Sequence, residues 1–125
     1  MDKKKILVID DEADLTRLIK LNLEGTGKYT VRTENNGLHG LVAAKEFNPH
    51  LIFLDIMMPD ADGGDICYQL ENDAKTKDIP IVFLTGAAKQ TEIEEGLGSI
   101  GRHPFIAKPV SLRALIDCIE KTSRA

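Results

Sequence analysis

Ile6-Leu7-Val8-Ile9-Asp10-Asp11 decides the fold: four apolar residues run straight into two carboxylates, and the same design recurs three times further along the chain. Leu51 to Leu54 ends on Asp55, Ile81 to Leu84 on Thr85, and Phe105-Ile106-Ala107 on Lys108. Short apolar runs set between helical patterns read as strands buried on both faces, the mark of a parallel sheet. The carboxyl ends of parallel strands share one edge, so three carboxylates, a hydroxyl and an ammonium should converge there. Ligands of open parallel sheets bind at that edge, in the crevice where the strand order reverses.

The segments between these runs supply the crossovers. Leu15, Leu18, Ile19 and Leu23 recur at helical spacing after Asp11, and Gly25 and Gly27 stop the run. Tyr29 to Thr33 reads as a strand rich in β-branched and aromatic residues, and Leu38, Leu41, Val42 and Ala44 mark a helix closing near Asn48-Pro49. Pro59 stiffens the loop from Asp55 to Gly63, which Gly63-Gly64 releases into a helix carrying Ile66, Cys67 and Leu70. Pro80 opens the fourth strand. Gln90 to Ile100 gives the weakest helical signal, since Gly96 and Gly98 each cost roughly 1 kcal/mol against alanine in a helix interior. Ser111 is the N-cap of the last helix, whose buried stripe is Leu112, Leu115, Ile116 and Ile119. Five strands alternating with five helices predict an α/β fold: a doubly wound, five-stranded parallel sheet with helices on both faces.

At 125 residues the chain has the size of one domain, 1–125, with 42% hydrophobic and 29% charged residues and no long polar tract. The run after Met1-Asp2-Lys3-Lys4-Lys5 is far too short for a signal or spanning segment, which points to a cytoplasmic protein with no membrane contact. A net charge of −4 repels a polyanion, arguing against direct nucleic-acid binding by this domain. Cys67 and Cys118 have no Cys-x-x-Cys spacing and read as reduced thiols. His39, His50 and His103 show no metal-ligand spacing and read as ordinary surface or satisfied residues, His50 lying at the edge opposite the acidic residues.

Asp10 and Asp11 serve one pocket only if the chain turns there, as a strand-to-helix connection does. Two like charges about 4 Å apart repel by roughly 4 kcal/mol at an effective dielectric near 20, and Asp55 adds a third. Such a nest calls for a cation. Its hard oxygen ligands suit Mg²⁺, and Lys108 offsets part of the charge without it.

Val8-Ile9-Asp10-Asp11-Glu12, Leu54-Asp55-Ile56-Met57-Met58-Pro59 with Asp62-Gly63, Leu84-Thr85-Gly86-Ala87 and Phe105-Ile106-Ala107-Lys108-Pro109 resemble the response-regulator receiver domain of two-component systems. The resemblance covers nearly the whole chain. It implies a flavodoxin-like strand order of 2-1-3-4-5. It also implies that Asp55 accepts a phosphoryl group from the phosphohistidine of a sensor histidine kinase or phosphotransfer protein. Asp10, Asp11, Asp55 and the backbone carbonyl of Met57 would hold Mg²⁺; Thr85 and Lys108 would bond phosphoryl oxygens. Lys108-Pro109 resembles the family's cis peptide.

Phosphorylation would draw Thr85 inward and let the Phe105 ring turn in behind it, although Phe105 reads equally well as plain core. Output would then pass through the face of the fourth helix, fifth strand and fifth helix to a partner or output domain, and the resemblance admits a phosphorylation-dependent dimer. The chain departs from the family pattern between Gly96 and Pro104, where the glycines predict a short or mobile fourth helix. The expected function is a signalling switch that catalyses only its own phosphorylation and dephosphorylation, not a turnover enzyme. Two readings stay open: an aspartate-nucleophile phosphatase of the haloacid dehalogenase type, which would want Asp-x-Asp on its first strand, and a receiver-like interaction domain that is never phosphorylated.

Overall fold

Each apolar run is a strand, and parallel pairing sets their ends almost level. The computed structural model describes residues 2–86, 99–100 and 103–122. In chain order its elements are β1 (Lys4–Ile9), α1 (Ala13–Gly25), β2 (Tyr29–Glu34), a 3-10 turn (Gly37–His39), α2 (Gly40–Phe47), β3 (Leu51–Asp55), α3 (Gly63–Glu71), β4 (Ile81–Thr85), β5 (Ser99–Ile100), β6 (His103–Ala107) and α4 (Leu112–Thr122). The sheet order is β2-β1-β3-β4-β6-β5. The five parallel strands stand in the predicted 2-1-3-4-5 order, with β6 as the fifth.

The sixth strand departs from expectation. Ser99 and Ile100, read from sequence as the end of a helix, pair antiparallel with Pro104 and His103. Only two residues separate the strands and Gly101 comes first, a tight-hairpin signal that the helical periodicity over 90–100 hid. The rest of the expected fourth helix lies outside the described residues.

Side chains alternate across the strands and build two cores. Ile6 and Val8, with Leu51, Phe53, Val82 and Leu84, pack against Ile19 and Leu23 of α1 and Leu115 and Ile119 of α4. Leu7 and Ile9, with Ile52, Leu54, Ile81 and Phe83, face Ala43 and Ala44 of α2 and Ile66, Cys67 and Leu70 of α3. Every residue from Ile6 to Ile9 and from Leu51 to Leu54 is sealed from solvent, as covering on both faces demands. Small residues bring α2 close: a Cβ on Gly40 would sit 3.1 Å from Ile9 Cδ1. Leu38 and Val42, which marked this segment in the sequence, are exposed, as is Leu18 of α1. Ser111 caps α4 as predicted, its Oγ accepting from the Ala114 N–H at 3.1 Å.

Candidate phosphoacceptor and metal site

Strand register assembles the site. Ile9 pairs with Leu54, so Asp10 stands level with Asp55; Asp55 pairs with Leu84, and Thr85 with Ala107, which hands the chain to Lys108. Each step staggers the strand end by a residue at most. Carboxylate oxygens of Asp10, Asp11 and Asp55 thereby lie within 4.8 Å of one another.

The β1–α1 connection supplies the turn that Asp10 and Asp11 need. Asp10 Oδ1 accepts from the Glu12 N–H at 2.9 Å, and Asn35 Nδ2 donates to the Asp10 carbonyl at 2.8 Å and to Thr16 Oγ1 at 2.9 Å. Asn35 has no place in the sequence reading; its contact with Asp10 spans 25 residues and nothing local foretells it. Beyond Asp55, the Gly63 N–H donates to the Ile56 carbonyl at 2.8 Å, folding the loop back on the strand end. A Cβ on Gly63 would stand 2.5 Å from the Asp55 carbonyl oxygen, so glycine serves close backbone approach there and not only helix entry. Asp62 caps α3, its Oδ1 accepting from the Gly64 N–H at 2.7 Å.

Burial turns this cluster into an electrostatic problem. Asp10 is fully buried and Asp55 and Thr85 are each 4% exposed. Lys108 Nζ lies 2.9 Å from Asp10 Oδ2, 3.7 Å from Asp55 Oδ2 and 3.5 Å from Glu12 Oε2. Burial, the Asp10 charge and the side chain of Asp11 push the Asp55 carboxyl up to about 6 against the pull of Lys108 and the Met57 N–H. Burial opposes the Lys108 ammonium, but Asp10, Asp55 and Glu12 outweigh it and hold the group above its ordinary value. Among the described residues, the Lys108 ammonium thus faces three carboxylates, and Asp11 adds a fourth to the cluster.

The donor set suits a second cation. Asp10 Oδ2 is buried and has no hydrogen bond among the described residues, and its ion pair with Lys108 leaves lone-pair capacity unused. All-oxygen ligands with two or three carboxylates fit a hard divalent ion such as Mg²⁺. Met57 sits on the adjoining loop, its N–H 3.3 Å from Asp55 Oδ1. The Lys108-Pro109 peptide is cis. Phe105 is not in the nest: it is half-buried, two residues before the end of β6 and opposite Phe83, on the face covered by α2 and α3.

Known proteins resemble this chain over most of its length. The DNA-binding dual master transcriptional regulator RpaA of Synechocystis is 34% identical over 112 residues, 90% of this chain and 46% of that protein. The alkaline phosphatase synthesis transcriptional regulatory protein PhoP of Bacillus subtilis is 40% identical over 111 residues, 88% of this chain and 44% of that protein. The chain therefore spans about half the length of the curated relatives it matches. Among solved structures, the CheY-like response regulator receiver domain protein from Methanospirillum hungatei superposes with a TM-score of 0.80 at 26% identity, covering 96% of this chain and 93% of that one. The family described as response regulator receiver domain matches residues 6–120, and a match of that extent makes the chain a member of it.

Proposed function

We propose that residues 1–125 act as a phosphoacceptor switch in a two-component phosphorelay, with Asp55 the residue that is phosphorylated. The observation that carries the reading is the placing of Asp55: buried on a central strand end, beside Asp10 and Asp11, with Lys108 Nζ 3.7 Å away. A carboxylate oxygen of Asp55 attacks phosphorus, the P–N bond to the donor histidine breaks with its electron pair staying on nitrogen, and the ring leaves as neutral imidazole, its proton already on the other ring nitrogen. The transition state is loose, so the protein's work is positioning and charge neutralisation. Asp10, Asp11, Asp55 and the Met57 carbonyl would hold Mg²⁺, which supplies Lewis-acid neutralisation of the phosphoryl oxygens. Lys108 donates to one phosphoryl oxygen and the Thr85 hydroxyl to another.

The donor is a sensor histidine kinase or a phosphotransfer protein. An open groove of about 500 Å³ lined by Glu12, Leu15, Leu18, Lys108, Pro109 and Val110 borders the nest and offers it an apolar landing. Output follows from strand pairing: Phe83 and Phe105 are paired, so Thr85, two residues on from Phe83, shares their face of the sheet. Movement of Thr85 toward a phosphoryl group vacates space on the face that holds the Phe105 ring. The signal passes through the β6 and α4 side to a cytoplasmic partner or output domain, without nucleic-acid contact by this domain.

Acetyl phosphate or beryllofluoride with Mg²⁺ tests the assignment. Stoichiometric labelling that disappears in Asp55→Asn is the expected result. Steady phosphate release from a small phosphomonoester would replace this reading with a phosphatase, and absence of labelling in the folded wild type would leave a silent interaction domain.

A further inference from the structure

We propose that Cys67, Glu71 and His103 form a binding site for a divalent transition-metal ion of the Zn²⁺ class, separate from the acidic nest and at the opposite rim of the sheet. One sulfur, one carboxylate oxygen and one imidazole nitrogen lie within 4.8 Å of one another, with Glu71 Oε2 2.7 Å from His103 Nε2. Cys67 and Glu71 stand one helical turn apart on the same stripe of α3, Cys67 buried and Glu71 exposed; His103 opens β6 on the same face as Phe105. His103 and Lys108 are separated by an extended run of about 15 Å, which keeps the two sites apart.

The chemistry is selective. Tetrahedral zinc sites take sulfur at about 2.3 Å and imidazole nitrogen at about 2.0–2.1 Å, and three protein ligands leave a fourth position for water. Binding would require the Glu71–His103 pair, now 2.7 Å apart, to spread and the sulfur to draw in. Thiolate and carboxylate together carry two negative charges, so a divalent ion closes the site neutral. Mg²⁺ avoids sulfur and prefers the oxygen nest.

The surroundings fit a partly closed site. Cys67 is 5% exposed within the core beside Ile66 and Leu70, and the His103 ring meets the Phe83 ring edge-on at 5.8 Å. Glu71 and His103 keep 45% and 19% of their side-chain surface, which opens a path for the ion. Burial and Glu71 push the Cys67 thiol up to about 11, so without metal it stays protonated and inert. On binding, a metal–sulfur bond forms and the thiol proton passes to solvent, while the imidazole binds through Nε2 with its proton on Nδ1. The ion would tie the end of α3 to the first residue of the strand that carries Phe105.

Co²⁺ titration of the full chain in excess Mg²⁺ tests this. One equivalent should give the visible absorption of tetrahedral Co²⁺ and a near-ultraviolet thiolate charge-transfer band, both displaced by Zn²⁺. Cys67→Ser should abolish the charge-transfer band, and Glu71→Gln and His103→Gln, at sites with solvent access, should weaken binding by roughly tenfold or more. Cys118→Ser should leave the spectrum intact. A spectrum without sulfur character, or one lost in Cys118→Ser and kept in Cys67→Ser, overturns the proposal.

Discussion

Asp55 is held under tension by its own charge, and two substitutions measure it. The carboxyl titrates near 6 in the folded chain, against 3.8 as an ordinary aspartate, so the native state binds this proton more tightly than the unfolded state does. Ionising Asp55 therefore costs stability at neutral pH, and the cost fades as pH falls from 6 toward 3.8. Asp55→Asn should be more stable than wild type by up to about 3 kcal/mol in Mg²⁺-free buffer at pH 7, with the gap closing near pH 4. Urea unfolding at both pH values checks this, and a gap that widens on acidification contradicts it. Lys108→Ala should act in the other direction. It leaves the sealed Asp10 carboxylate without its 2.9 Å partner, a loss of about 3 kcal/mol, and should move the Asp55 titration above 6. Carboxyl chemical shifts across pH follow Asp55 directly. Mg²⁺ affinity should survive the change, because Lys108 holds no metal in the proposed site.

The loop between β3 and α3 shows how an element, not only its functional residue, is constrained. Gly63→Ala would push a methyl group into the Asp55 and Ile56 backbone, at 2.5 Å and 2.6 Å, where neither neighbour is a flexible side chain. It should cost about 1–3 kcal/mol and slow labelling of Asp55 by shifting its strand end. Gly25→Ala, at the end of α1 with open space around it, is the contrast: it should stabilise by about 0.5–1 kcal/mol and leave labelling unchanged. Thermal melts and labelling rates of the two variants separate the cases. The same loop marks the limit of what sequence shows. Asp10, Asp11, Asp55, Thr85 and Lys108 were legible because each follows a local apolar run, and parallel pairing does the rest. Gly63 read as a helix opener, since its contact with the strand end is tertiary. Asn35 beneath Asp10, and His103 beside Cys67 and Glu71, stayed hidden because each contact joins residues far apart in the chain. β5 was missed because a two-residue strand has no period to detect.

At the scale of the whole molecule, folding and binding draw on one arrangement. The sheet can bring its strand ends level only when both cores are packed, and level ends are what crowd Asp10, Asp11 and Asp55 together. Folding thus builds a repulsion that the unfolded chain lacks, and a cation bound only by the native state returns the difference as stability. Above its dissociation constant, each tenfold rise in Mg²⁺ should add about 1.4 kcal/mol to the unfolding free energy. Protons compete for the same oxygens, so the gain should shrink as pH falls through the Asp55 value near 6. An Asp10→Ala, Asp11→Ala double variant should start more stable than expected from two core-edge substitutions and gain nothing from Mg²⁺. Potassium chloride at matched ionic strength controls for general screening. Denaturant titrations of the wild type and the double variant across Mg²⁺ concentration read the linkage directly, and equal Mg²⁺ stabilisation of both proteins would remove the acidic nest as the place where the ion binds.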